Sequence, residues 1–215
     1  MIGVINYGMG NVGSVVKALD YLGIDNILGE TPEDFVNVEK IILPGVGAFR
    51  DVMNNLISRG WVDFLNEKVI KEGIPYLGIC LGLQLIFEES EEFGITKGFG
   101  WFKGNVKGFS LPKEYKIPHM GWNQLWIKQE HPLFSDLEDG SYFYFVHSFF
   151  VNPDNDSDVI GKTDYGIEFS SAVAKDNIVA TQFHPEKSGR LGLKVLENFN
   201  KWNGCLLYTS PSPRD

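Results

Sequence analysis

Cysteine is scarce in this chain: 215 residues hold two, Cys80 and Cys205. Two cannot make the framework of a disulfide-stapled extracellular domain, so a reducing cytoplasm is the expected compartment. Long apolar runs are missing as well. None approaches the roughly 20 residues that a membrane helix requires. The apolar opening Met1-Ile2-Gly3-Val4-Ile5-Asn6 is too short for a signal peptide and no basic residue precedes it. Positive charge is in deficit: 19 Lys and Arg stand against 28 Asp and Glu, for a net charge of −9. With no long basic patch, nucleic-acid binding is not expected. Repeats and inter-domain linkers are absent too. What remains, 43% apolar and 22% charged residues, is ordinary for one globular domain with a sizeable core.

What is present alternates. An apolar run at 2–6 precedes a glycine-containing turn, and residues 12–22 carry Val12, Val15, Val16, Leu19 and Leu22 at helical spacing, with Gly23 as a stop signal. Gly8, Gly10 and Gly13 match the bare G-x-G-x-x-G pattern. A dinucleotide loop would also need an acidic residue at the end of a second strand, and Glu30 falls instead in the turn-like Gly29-Glu30-Thr31-Pro32. No cofactor is therefore expected. A second apolar run at 40–43 ends in Pro44-Gly45-Val46-Gly47, where glycines free the backbone to aim N–H groups outward. Helices are expected at 49–58 and 61–71, a strand at 76–79 and a helix over 81–87. The acidic run 88–92 reads as a solvated helix end or loop. Residues 99–182 change texture, with many aromatics and glycines and short apolar runs at 104–109, 142–146, 159–162, 171–174 and 178–183. A last helix is expected at 189–202. The fold class that follows is α/β: an open, mostly parallel sheet flanked by helices, with antiparallel strands added in the C-terminal half.

The chemistry centres on Gly78-Ile79-Cys80-Leu81-Gly82, which has the form of a nucleophile elbow with sulfur in place of oxygen. A strand turning sharply into a helix strains the corner residue and demands small neighbours. The Leu81 N–H can then serve an oxyanion. An arbitrary G-x-C-x-G more often hides a buried structural cysteine, so a base is needed to tip the balance. Of the four histidines, His119, His131, His147 and His184, the last stands in Phe183-His184-Pro185-Glu186. In extended chain, residues two apart point the same way, so Glu186 can reach the imidazole from behind. Cys80, His184 and Glu186 make a plausible triad. A metal site from Cys80, His147 and His184 is the weaker reading, because no short-range C-x-x-C or H-x-x-x-H supports it.

The elbow, the Phe183-His184-Pro185-Glu186 stretch and Pro44-Gly45-Val46-Gly47 together resemble the three motifs of class I glutamine amidotransferases. Within that family the chain is most similar to the glutaminase subunits of imidazole glycerol phosphate synthases. Tyr7-Gly8-Met9-Gly10-Asn11, His119-Met120-Gly121-Trp122-Asn123, His147-Ser148 and Lys187-Ser188 carry the narrower likeness.

The resemblance implies that Cys80 attacks the side-chain amide of glutamine, that His184 moves the proton and that Glu186 orients His184. It implies an oxyanion hole from Leu81 and from Val46 or Gly47, and substrate contacts from Gly45, Gln84, His147 and Ser148. It implies a heterodimer with a (β/α)8-barrel cyclase subunit that receives the ammonia in histidine biosynthesis, with Trp122 and Lys187 near the interface. Two positions depart from the family: Phe149 stands where many relatives have Tyr, and Asn6 where Asp is frequent. The alternatives are a glutaminase feeding another synthase, and a catalytically silent binding subunit on the same fold. The likeness covers residues 1–202. Residues 205–215 resemble a translated sequencing adapter, so 203–215 is expected to be a non-native or disordered tail.

Overall fold

Short apolar runs alternating with amphipathic stretches build the first half of the molecule. In the computed structural model, which describes residues 1–8 and 12–204, β1 (Ile2–Ile5) leads to α1 (Val12–Tyr21) and β2 (Asn26–Gly29). Then come β3 (Lys40–Gly45), α2 (Phe49–Ser58), α3 (Trp61–Leu65) and β4 (Tyr76–Cys80). β1 lies between β2 and β3, and β3 beside β4, all in parallel. Alternate residues face opposite cores. Val4, Ile42, Leu77 and Ile79 pack with Val15 and Leu19 of α1, whereas Ile41, Leu43 and Tyr76 pack with Val52 and Leu56 of α2 and with Trp61 and Leu65 of α3. Covered on both faces, these strands read as continuous apolar runs.

The second half adds α4 (Leu81–Gln84), β5 (Phe87–Ser90), β6 (Thr96–Lys97), β7 (Phe102–Gly108), β8 (His119–Ile127) and β9 (Ser141–His147). It continues through β10 (Phe149–Pro153), β11 (Val159–Asp164), β12 (Glu168–Lys175) and β13 (Ile178–Thr181) to α5 (Gly189–Lys201). β13 returns to the centre, parallel to β4 and antiparallel to β12, giving the order β2-β1-β3-β4-β13-β12-β10-β7-β5-β6. The hairpin of β8 and β9 joins through β11. α5 lays Val195, Leu196 and Phe199 on the same side of the sheet as α1. The expected fold class is the observed one: a parallel core between helices, extended by antiparallel strands. No helix among the described residues is long and apolar enough to cross a membrane.

Several elements differ from the sequence reading. The helix expected over 81–87 is one turn long, and the acidic run is largely strand β5, parallel to β7 and antiparallel to β6. Its charges are spoken for: Glu88 pairs with Lys103, Glu89 with Lys97, Glu91 accepts from the Gly108 N–H and Glu92 from the Phe49 N–H. The helix expected at 61–71 loosens into a π-helical turn at Asn66–Lys71. Strands β2, β6, β8 and β10 fall outside the expected runs. Part of the first turn, residues 9–11, and the 205–215 tail lie outside the described residues.

Candidate active site

The carboxyl ends of four adjacent parallel strands, β1, β3, β4 and β13, meet at one edge of the sheet, where sites in open α/β sheets assemble. Cys80 ends β4 at φ 54° and ψ −104°, a strained conformation for a residue with a Cβ. The corner is tight enough to require its glycines. A Cβ on Gly78 would lie 2.5 Å from the Gly82 carbonyl oxygen, and one on Gly82 would lie 2.0 Å from that of Leu43. The sequence expectation of a sharp strand–helix elbow with small neighbours thus has a direct geometric cause.

His184 follows β13 and is buried, with its main-chain N–H bonded to the Tyr144 carbonyl at 2.9 Å. Ser188 ties the same loop to β9. Its hydroxyl donates to the His184 carbonyl at 2.6 Å and accepts from the Tyr144 N–H at 2.9 Å. The imidazole Nδ1 lies 2.8 Å from Glu186 Oε1, and both side chains are nearly inaccessible. Burial works against a charged ring here. The nearby Cys80 sulfur and the Glu186 carboxylate outweigh it and lift the His184 pKa to about 10. Among the described residues Nε2 makes no formed hydrogen bond. Cys80 is close enough to bias its charge, yet the bond between them is not drawn tight, a common state of sites without substrate. The other oxygen of Glu186, Oε2, is buried and also unpartnered, so the carboxylate is held chiefly by the ring it orients.

Most of the remaining candidates are held by contacts within the protein. The Val46 N–H points at the buried Tyr7 hydroxyl, 3.3 Å away, and is engaged rather than waiting for a ligand. Burial pushes the Tyr7 phenol up to about 12, so it stays a neutral hydroxyl. Gly47 is exposed and Gly45 buried at the end of β3. Gln84 donates to the Phe149 carbonyl at 3.0 Å and to Gln182 Oε1 at 3.3 Å. Both ring nitrogens of His147 are committed, Nδ1 to the Phe149 carbonyl at 2.8 Å and Nε2 to His119 Nδ1 at 2.9 Å. His147 is therefore no metal ligand in this arrangement. The Ser148 carbonyl accepts from the Phe109 N–H. Trp122 is 56% exposed on β8, and Lys187 lies in the turn after His184.

Two residues at the sulfur escaped the sequence reading. Gln182 donates its amide to Cys80 Sγ at 3.6 Å. It stands two residues before His184, just past the end of β13, where extended chain carries both side chains to one side. Glu186, by contrast, reaches the ring through the 3-10 turn Pro185–Lys187 and not through the extended backbone expected from the sequence. Tyr7 could have been suspected from its place just past the end of a strand in the parallel core.

A family model described as glutamine amidotransferase class-I matches residues 3–202. The chain belongs to the class I glutamine amidotransferases. Among members of this family, the imidazole glycerol phosphate synthase subunit HisH of Caldanaerobacter subterraneus subsp. tengcongensis is 50% identical over 206 residues, covering 96% of this chain and 100% of the relative. The subunit of the same name from Methanocaldococcus jannaschii is 50% identical over 199 residues, covering 93% and 98%. At the level of the amidotransferase fold, a crystal structure of a glutamine amidotransferase superposes with a TM-score of 0.73 at 17% identity, covering 93% of this chain and 97% of that one. PurLQS from Thermotoga maritima gives 0.73 at 20% identity with the same coverage.

Proposed function

We propose that this chain is the glutaminase subunit of an imidazole glycerol phosphate synthase, with residues 1–202 as its amidotransferase domain. It hydrolyses glutamine to glutamate and ammonia and hands the ammonia to a cyclase subunit in histidine biosynthesis. The observation that carries this reading is the Cys80 corner beside a His184–Glu186 pair 2.8 Å apart, in a chain half identical to relatives named as synthase subunits.

The sulfur of Cys80, as thiolate, attacks the side-chain amide carbon of glutamine, and the carbonyl electrons move to oxygen. The Leu81 N–H and an N–H of the Val46-Gly47 loop stabilise that oxyanion, each such donor being worth about 3 kcal/mol of barrier. The His184 ring, whose raised pKa keeps it protonated, gives its proton to the leaving nitrogen as ammonia departs and the thioester forms. The now neutral ring takes a proton from water, hydroxide adds to the thioester, and glutamate leaves as the sulfur regains the bonding pair. Because both N–H groups of Gln84 are used inside the protein, it meets substrate through Oε1, an acceptor suited to the glutamine ammonium. Gly45, His147 and Ser148 are assigned the remaining substrate contacts by the family resemblance.

A partner surface suits the β8–β9 hairpin. Met120, Trp122 and Tyr142 are all more than half exposed there, an apolar density that marks binding faces. Lys187 lies on the loop after His184, which Ser188 ties to β9. The test is glutamate release by the protein alone and mixed with a cyclase subunit, with and without the cyclase's ligand. Release with cyclase, lost in Cys80→Ala, is expected. No release with any cyclase tried rejects the assignment, and release that survives Cys80→Ala rejects the mechanism.

A further inference from the structure

Phe149 supplies a fixed point from which proton positions around the sulfur can be worked out. Its carbonyl can only accept, and it does so from His147 Nδ1 at 2.8 Å and from Gln84 at 3.0 Å. The Gln84 group facing it must therefore be the amide NH2. The second N–H of that group reaches Gln182 at 3.3 Å, so the Gln182 atom there must be its oxygen. The opposite terminus of Gln182, 3.6 Å from Cys80 Sγ, must then be NH2. Turning the Gln182 amide over would set two NH2 groups against each other and press a carbonyl oxygen onto the sulfur.

The other side of the carbonyl is fixed in the same way. His147 spends its proton on Nδ1, so its Nε2 accepts and His119 Nδ1 must donate across 2.9 Å. His119 Nε2 then accepts from Asn123 Nδ2 at 3.2 Å. Asn123 is itself oriented by main chain, donating to the Asp164 carbonyl at 2.8 Å and accepting from the Gln124 N–H at 2.8 Å. Both histidines must be neutral for this pattern. Burial holds them so, pushing His119 down to about 4 and His147 to about 3. The ring of His119 is further clamped between Phe145 and Tyr165. A chain of hydrogen bonds thus runs from β8 to the nucleophile, and its proton positions are dictated by backbone groups that cannot be reversed.

We propose that Gln182 is a further catalytic residue, a carboxamide donor locked by this chain so that it always presents an N–H to the Cys80 sulfur. The assignment rests on Cys80 being the nucleophile. The sulfur's other neighbour on this side, the Val146 carbonyl at 3.8 Å, is an acceptor and favours the thiol form. The Gln182 N–H favours the ionised sulfur. It also holds the sulfur in place while His184 Nε2 remains free to carry the proton.

The experiment reads the sulfur directly, without glutamine or partner. Alkylation of Cys80 by iodoacetamide is followed from pH 5 to 10 in the full chain, by peptide mass spectrometry that separates Cys80 from Cys205. In Gln182→Met, similar in size but with no donor, the midpoint is expected to rise by about one pH unit, and kcat with the cyclase to fall about tenfold with KM little changed. An unchanged midpoint in the folded variant overturns the proposal. Should that variant not fold, the wild-type protein decides. The side-chain NH2 resonances of Gln182 are expected to titrate with the Cys80 alkylation midpoint, and resonances that do not move overturn it equally. Failure of the glutaminase assay would instead reject the functional reading and leave the alkylation comparison intact.

Discussion

A single phenol illustrates how much of this site hangs on individual atoms. The Tyr7 hydroxyl holds the Val46 N–H, one of the donors assigned to the oxyanion, and its raised pKa keeps it from ionising. Catalysis through Val46 requires that bond to be exchanged for one to substrate. Tyr7→Phe removes the competitor and leaves the N–H seeking an acceptor. Glutamate release without the cyclase is expected to rise about tenfold, a fraction of the roughly 3 kcal/mol one such donor can supply, and stimulation by the cyclase to shrink to match. Unchanged or lower basal release would show that Val46 contributes through some other geometry. At this scale the sequence displayed Cys80, because a tight corner leaves glycines, and it displayed His184 and Glu186 by their nearness in the chain. The extended geometry expected between them is replaced by a single 3-10 turn over Pro185–Lys187, which brings the carboxylate back to the ring. It hid Tyr7, whose bond spans 39 positions, and it hid Gln182, whose orientation is set by the Gln84 side chain and, through it, by the Phe149 carbonyl.

Elements were legible where apolar residues faced the core and obscure where they did not. β8 alternates in the strand period, but Met120, Trp122 and Trp126 point outward while His119, buried, points in. A rule that sends apolar groups inward reads such a strand backwards. β5 was hidden by charge. Its acidic residues are anchors: Glu92 accepts the Phe49 N–H at 2.7 Å, at the start of α2. The residue before α2 is Ala48, which offers no side-chain cap, so Glu92 supplies from a distant loop what an N-cap side chain would. α2 begins directly after the Pro44-Gly45-Val46-Gly47 turn, and fraying there would also loosen the oxyanion loop. Glu92→Ala is expected to cost about 1 kcal/mol, a fall of about 3 °C in Tm, with amide exchange quickened in the first turn of α2. A Tm within error of wild type would mean that water replaces the carboxylate without loss.

For the whole molecule the alternation of strands and helices announced a parallel sheet, but not its closing step. β13, late in sequence, inserts beside β4 in parallel. The histidine at its end marked it as carrying the base, but its apolar run, grouped with the added antiparallel strands, did not show that it belongs to the parallel core next to the nucleophile's strand. The C-terminal helix is fastened equally non-locally, by Lys40 of β3 donating to the carbonyls of Phe199, Asn200 and Trp202. A global consequence follows from the buried histidines. Burial holds His119 and His131 down at about 4 and His147 at about 3, against roughly 6.5 in the unfolded chain. Their folded pKa values are depressed, so between those limits the unfolded chain binds protons that the fold refuses. Their contribution to stability is complete above about pH 6.5 and is lost as pH falls toward 4. His184 has the opposite sign. Raised to about 10, it contributes fully below about pH 6.5 and loses that contribution as pH rises through 10. Thermal melts should therefore peak near neutrality and fall by about 10 °C between pH 6.5 and 4.5. His131→Asn keeps an acceptor for the Leu133 N–H, which His131 Nδ1 now caps at 3.1 Å, while removing one titrating ring. Its acid limb should be shallower than that of the wild type. A wild-type Tm that stays flat from pH 6.5 to 4.5 would mean that the three rings accept protons inside the fold, and the neutral His119–His147 relay would have to be abandoned with it.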